Sequence, residues 1–460
     1  MTVGDTTDRL VVAAAAAYVL LTGWAMATLS YDIWGAFVVA PVILLVSVPI
    51  LHRVFKGEHA RLFPVAVLGL VAHLFGSVFR YWVAFDAYGG AADSSRYHAV
   101  GKQIAADVLG GRTTLASIVP RGTGTEFIGR LTGAGYTFFG SSRLGGFLVF
   151  GWLAFWGMVL FVHAALLGVR QLAGRRYAAL VLLSPSLIYW PSSIGKESWL
   201  FLSLGALSYG VARVLTGRWG GIALPVLAAG LWGTSSVRPH LAAIWMGAFA
   251  AALGFGLVTK RSGSRLRGRL ALLALAGLSL LMLFLVASAT LRYLDPETET
   301  NDTAPVTQRV NDIFVETSRR STQGGSSFEP VSISSPLSWP VAIGRTLTRP
   351  LLPEARSFAE LLPALEMTGL FVLAALSWRR FINLPLVALR SPYVVFALLC
   401  LLMFGLAFAS IGNLGILTRQ RSLVVPFLVL PFCVPVAVAI KKVALPATHR
   451  STRRQPVGSP

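Results

Sequence analysis

Charged residues are scarce in this 460-residue chain: Asp, Glu, Lys and Arg together make up 13% of it, against about 25% in soluble domains. So few charges cannot cover the surface of a water-facing chain of this length, so most of it faces something else. Acidic residues are scarcer still, 19 against 40 Lys and Arg. Only two cysteines occur, Cys400 and Cys433, both inside apolar runs. That excludes a disulfide framework and a cysteine zinc site, and leaves them as small buried hydrophobes. Also missing are a Walker phosphate loop, a GxSxG nucleophile elbow and an HExxH zinc motif, which argues against ATP-driven transport, elbow-type hydrolysis and zinc proteolysis. Neither a metal nor a cofactor is expected.

What is abundant is apolar sequence: 55% of residues are hydrophobic and the mean hydropathy is +0.68. The apolar residues fall in runs of about twenty, the length that crosses a bilayer core as a helix. Such runs predict helices near 10–29, 33–51, 62–85, 145–169, 177–194, 197–214, 220–237, 240–259, 270–293, 358–377, 392–412 and 420–440. The expected fold is an all-α, polytopic transmembrane bundle of about twelve helices over residues 1–440, followed by a basic tail at 441–460. Closely spaced pairs, such as 177–194 with 197–214, also fit broken or re-entrant elements. A small-x-small triplet, Ala25-Met26-Ala27, fits a cleavage site, but a retained first helix closes the topology more consistently. No internal repeat is evident.

The formal net charge of +21 fits either nucleic-acid binding or the positive-inside bias of membrane proteins. Location decides for the second. The connections at 53–61, 170–176, 213–218, 260–269 and 379–390 and the tail from Lys441 hold 21 Lys and Arg and one acid, Glu58. They alternate with connections that carry nearly all the remaining acids. The positive-inside rule puts the basic set in the cytoplasm, with both termini beside it, as an even helix count requires. A multi-pass protein of the cytoplasmic membrane is expected, with membrane lipids, anionic headgroups among them, as partners of the basic set and no nucleic-acid partner. Two extracytoplasmic loops are long, about 86–144 and 294–357. The first shows helical spacing in YHAVGKQIAADV; the second starts acidic and runs through a Ser/Gly/Pro-rich stretch.

Polar residues gather at the predicted outer helix ends. Asp86 and Asp93 lie in FDAYGGAADSSRYH, just after the third run. Either carboxylate can take a proton from a hydroxyl, and Asp93 equally suits a helix cap. Lys196 stands beside Glu197 between two runs, as a phosphate ligand or as half of a local ion pair. Arg238 and His240 flank Pro239 at a helix break, where the arginine either meets an anion or snorkels to the interface. Arg419 and Arg421, in NLGILTRQR, stand on the side where positive charge is disfavoured, and guanidinium suits phosphate through paired hydrogen bonds. Inside the runs, Arg80 and Glu366 are an expected ion pair or functional groups; His73 reads as a packing residue. An outer carboxylate loop with three cationic clusters points to an anionic substrate: Asp93 and Asp86 as candidate catalytic groups, Lys196, Arg238, His240, Arg419 and Arg421 as candidate phosphate ligands.

Five segments carry a family resemblance: DSSRYHAVGKQIA, SPSLIYWPSSIGKES, SVRPH, LTRPLLPEA followed by ALEMTG, and GNLGILTRQRSLVVPF. With these, from about 80 to 430, the chain resembles bacterial polytopic glycan-assembly proteins, a group that includes C-type lipid-linked glycosyltransferases and O-antigen or exopolysaccharide polymerases. In the C-type pattern the acidic loop usually follows the first helix; here it follows the third. The resemblance implies a sugar donor carried on polyprenyl phosphate or diphosphate, a glycan acceptor, glycosyl transfer or polymerisation outside the cytoplasm, and other envelope-assembly proteins as possible partners. Two other readings stay open. A transporter or flippase for lipid-linked glycans also fits twelve helices, though the chain has neither related halves nor uniformly short outer loops. A non-catalytic envelope scaffold is the third.

Overall fold

Runs of Leu, Val, Ala and Phe with few charges have no partner for their backbone in lipid except their own helix, so each apolar run closes its hydrogen bonds internally. In the computed structural model the described residues are 3–90, 92–119, 121–259, 273, 277, 280, 281, 315–319, 321–322, 326–331, 333, 335–355 and 358–436. Among them the chain is helical without a strand; Ser327 and Asn413 form an isolated bridge. The connection 260–269, all but four residues of the predicted helix at 270–293, the first part of the loop 294–357 (294–314) and the tail 441–460 lie outside the described residues.

Among the described residues six helical stretches are long and apolar enough to cross a membrane: Tyr31–Val54, Gly57–Ala87, Arg143–Gly168, Lys196–Leu215, Pro239–Thr259 and Leu414–Cys433. A seventh is added if Glu360–Leu376 and Trp378–Arg390, bent by 80° at their junction, count as one span. The chain is therefore a multi-pass helical membrane protein. Other predicted runs are shorter or broken. The run at 177–194 splits into Gly174–Leu182 and Pro185–Tyr189, because Pro185 cannot donate into the preceding turn. Ala223–Ser235 and Pro392–Ala407 are apolar helices of 13 and 16 residues.

Elements are α1 (Val3–Thr28), α2 (Tyr31–Val54), α3 (Phe63–Trp82), α4 (Asp93–Leu109), α5 (Thr125–Phe139), α6 (Arg143–Gly168), α7 (Gly174–Leu182), α8 (Pro185–Tyr189), α9 (Lys196–Leu215), α10 (Ala223–Ser235), α11 (Pro239–Thr259), α12 (Trp339–Thr348), α13 (Phe358–Leu376), α14 (Trp378–Arg390), α15 (Pro392–Ala407) and α16 (Leu414–Arg421). Helix α6 is the hub, packed on α2, α3 and α9. Where it crosses α9 there is no room for side chains: a Cβ on Gly157 would lie 2.2 Å from the Phe201 carbonyl oxygen, and one on Gly205 2.2 Å from that of Gly157. Close backbone approach replaces the missing hydrophobic drive for helix association in lipid.

The bundle has two unlike ends. One gathers the starts of α2, α6, α9 and α11 and the α4–α5 hairpin, joined by contacts such as Arg143 with Asp32 (3.4 Å) and the Gly124 amide on the Ser236 carbonyl (2.9 Å). The other gathers the turns after α2, α6 and α13, where Ser391 donates to the Gly168 carbonyl and Arg176 to the Ser377 hydroxyl.

Candidate functional site

Four local signals build the site at the first end. Gly195, extended and without a side chain to cap with, opens α9 so that Lys196 and Glu197 occupy its first turn, where the helix dipole favours the carboxylate. The Ser198 hydroxyl ties the turn back through 2.6 Å contacts to the Pro191 and Ser193 carbonyls. Pro239 starts α11 and leaves Arg238 in the tight turn from α10, its amide on the Thr234 carbonyl (2.8 Å). Asn413 caps α16 by accepting from the Ile416 amide at 3.1 Å, which sets the phase of Arg419, Gln420 and Arg421. Asp93 is the first residue of α4 and does not cap it; Ala92 holds that position.

These segments converge on Glu197, which is 2% exposed. Arg419 Nη2 donates to its Oε2 at 2.6 Å and Arg238 Nη2 to its Oε1 at 3.0 Å. Arg238 also donates to the Gln420 side-chain oxygen. Arg419 reaches on to Asp93, 3.5 Å away, whose side chain is 66% exposed. Lys196 is half-buried, within electrostatic reach of Glu197, Asp93, Arg238 and Arg419, and makes no contact-distance ion pair among the described residues. Three cations against two carboxylates leave one formal positive charge. Tyr97, one turn along α4 from Asp93, is buried and hydrogen-bonded to Thr125; burial first and the Asp93 carboxylate second push its phenol up.

The remaining candidates separate. His240 follows Arg238 by two positions; its ring tilts against Phe408 and its buried Nδ1 has no hydrogen-bond partner among the described residues. Asp86 lies in the five-residue π turn Val83–Ala87, exposed, and makes no contact with the Glu197 cluster. Arg421 points away from Arg419, since residues two apart on a helix project about 200° apart. It is buried, donates to the Arg349 carbonyl and lies in electrostatic reach of Glu366. Arg80 and Glu366 do not pair with each other. Arg80 donates to the Tyr189 hydroxyl at 2.5 Å and lies over the Tyr189 and Trp190 rings, whereas Glu366 accepts from the Ser186 amide and hydroxyl at 3.0 and 2.9 Å. His73 is fully buried and bonds the Gly69 carbonyl, a packing role.

Sequence reasoning passed over Glu197, Tyr97 and Gln420. The signal for Glu197 was present, a carboxylate at an apolar helix start, but its neighbour Lys196 offered a local partner that the folded chain does not use. A second network stands behind the site: Asp32 meets Arg143 (3.4 Å) and His98 Nε2 (3.7 Å), and His98 Nδ1 bonds the Tyr136 hydroxyl (2.7 Å). It fastens α4 to α2, α5 and α6. Beside Tyr97, a cavity of about 600 Å³ opens between α4 and α5, lined by Arg96, Tyr97, Val100, Ile104, Thr125 and Glu126 among others, a volume in the range of small-ligand sites. Among the described residues no group of three or more His, Cys, Asp or Glu is placed to hold a metal ion. Chemically, the arrangement offers an exposed carboxylate beside a partly buried, net-positive guanidinium pair. Comparison with protein-family models, with curated proteins and with solved structures gives no match for the chain.

Proposed function

We propose that this protein transfers or polymerises sugars at the extracytoplasmic face of the cell membrane, using a donor carried on polyprenyl phosphate or diphosphate, in cell-envelope polysaccharide assembly. The observation that carries the reading is Arg419, which touches both the buried Glu197 and the exposed Asp93 at one end of an apolar bundle. In this reading the lipid tail stays in the bilayer and the phosphate sits against Lys196, Arg238 and Arg419, near the unpartnered Nδ1 of His240. Asp93 takes the proton from an acceptor hydroxyl, whose oxygen bonds to the anomeric carbon. The bond from that carbon to the phosphate oxygen breaks, and the cations stabilise the departing negative charge. The glycan acceptor lies in the cavity between α4 and α5, which Tyr97 connects to Asp93.

The orientation belongs to the same proposal: about twelve spans, both termini in the cytoplasm and the Glu197 cluster outside. It is supported by the position of the basic connections 53–61, 170–176, 213–218 and 379–390 away from the cluster. An impermeant thiol reagent on intact cells is expected to label Ser326→Cys, near the cluster, and not Arg218→Cys; the reverse pattern overturns the orientation.

The function is tested in a strain lacking the gene, by mass spectrometry of its lipid-linked glycans. The expected result is an accumulated donor one transfer short, restored to normal by the wild-type chain. Completed glycans trapped on the cytoplasmic side point instead to a flippase, and an unchanged lipid-linked pool removes the proposal.

A further inference from the structure

Helix α14, Trp378–Arg390, divides into three faces that serve three environments. At about 100° per residue, Phe381, Leu384, Val387 and Ala388 fall together, and these are the residues buried or half-buried against the bundle. Trp378, Ile382, Leu386 and Leu389 form a second stripe about 80° wide, and all four are exposed, at 55%, 64%, 49% and 57%. Between these faces lie Arg379, Asn383 and Arg390, with Arg380 at the border of the protein face. The helix contains no acid.

Its direction matches this division. The helix leaves α13 at 80°, and its 13 residues reach about 20 Å, short of the roughly 30 Å of a hydrocarbon core. It cannot cross, and it does not continue the helix before it. Arg380 donates to the Val434 carbonyl and Asn383 to that of Val436, which pins it to the end of the last span. At its other end Ser391 ties it to the end of α6 through the Gly168 carbonyl (2.7 Å). A helix so fixed, with an unpartnered apolar stripe turned away from the bundle and edged on one side by arginines, has the form of an interfacial helix.

We propose that α14 lies in the plane of the membrane surface, with Trp378, Ile382, Leu386 and Leu389 in the acyl region and Arg379 and Arg390 bound to the phosphates of anionic phospholipids. The occupant is a lipid leaflet. A protein partner would fit the stripe but gives no reason for guanidinium groups along its edge, where phosphates lie when the stripe is immersed. Arg379 is additionally held at that edge by the Trp378 ring, 5.4 Å from its guanidinium carbon, and Trp favours the headgroup level. This site is at the opposite end from Glu197 and is independent of the glycosyl-transfer proposal.

The test uses the full chain in nanodiscs of phosphatidylcholine with or without phosphatidylglycerol. A nitroxide on Ile382→Cys is expected to collide with oxygen more often than with a water-soluble nickel complex, and one on Arg390→Cys to show a shallower position. Native mass spectrometry is expected to show retained phosphatidylglycerol on the wild type. An arginine near an anionic surface changes affinity about fivefold, so Arg379→Gln with Arg390→Gln lowers that retention by about 25-fold, and Arg379→Lys with Arg390→Lys largely keeps it. A water-accessible label at Ile382, or a double glutamine variant that holds phosphatidylglycerol as the wild type does, overturns the proposal.

Discussion

The two ends of this bundle use arginine in different ways. At the end that holds Glu197, arginines meet carboxylates, Arg238 and Arg419 on Glu197, Arg419 on Asp93 and Arg143 on Asp32, whereas Arg80 and Arg421 bond neutral oxygens. At the other end guanidinium groups meet neutral oxygens: Arg176 the Ser377 hydroxyl, Arg213 the Gly220 carbonyl at 3.0 Å, Arg380 the Val434 carbonyl. The single acid of the basic connections, Glu58, is largely exposed and faces His59 at 3.6 Å. Among the described residues the basic connections 53–61, 170–176, 213–218 and 379–390 form no ion pair between Lys or Arg and a carboxylate, which leaves their charge to headgroups. At the first end positive charge is organised around the buried Glu197 carboxylate with a small positive surplus.

The largest expected effect follows from that contrast. Glu197→Gln removes the buried carboxylate that the partly buried Arg238 and Arg419 share. Breaking a buried pair by removing one partner costs about 3–5 kcal/mol, so the variant is expected to unfold in detergent well below the wild-type temperature. The matched change at the other end, Arg175→Gln, removes an exposed charge and stays within about 0.5 kcal/mol of wild type. Equal midpoints for the two variants would erase the difference between the ends.

Arg421 sharpens the comparison within a single helix. With its side chain on the Arg349 carbonyl and near Glu366, Arg421→Ala is expected to lower membrane abundance several-fold while glycan output per molecule stays at the wild-type level. A loss of output at full abundance would return Arg421 to the site.

A smaller effect is expected from pH. Burial, reinforced by Arg143 and Lys102 and opposed by Asp32, holds His98 at about 4 against an ordinary 6.5. Between those values the unfolded chain takes up a proton that the folded chain refuses. The contribution of His98 is therefore complete above pH 6.5 and is lost as pH falls toward 4. His98→Gln should flatten the dependence of the unfolding midpoint on pH across that window. An unchanged slope would mean that α4 is not fastened through this imidazole.

The helical class and most helix positions were legible because apolar runs at bilayer length have few other solutions. The breaks were less so: a run of twenty apolar residues has the same hydropathy whether it is continuous or, as at Leu183–Pro185, interrupted. Lys196, Arg238 and Arg419 stood out as cations at outer helix ends, and the fold brings them together with Asp93. Glu197 did not, since its partners lie 41 and 222 positions away in the chain and no local pattern encodes such a distance. Arg419 and Arg421 looked like a pair in the linear sequence, and helical phase sends them apart. Arg80 and Glu366 looked complementary in charge, yet an aromatic shelf and a serine satisfied them separately.

The central claim, that Arg419 holds the phosphate of a polyprenyl-linked sugar, is tested most directly by binding. Purified wild type, Arg419→Lys and Arg419→Ala are titrated with a polyprenyl diphosphate sugar and bound ligand is counted by native mass spectrometry. A charge-assisted hydrogen bond contributes roughly 1.5–3 kcal/mol, so Arg419→Ala should weaken binding about tenfold to a hundredfold, with Arg419→Lys between it and wild type because lysine keeps the charge and loses the fork. Wild-type affinity in a folded Arg419→Ala protein would contradict the account.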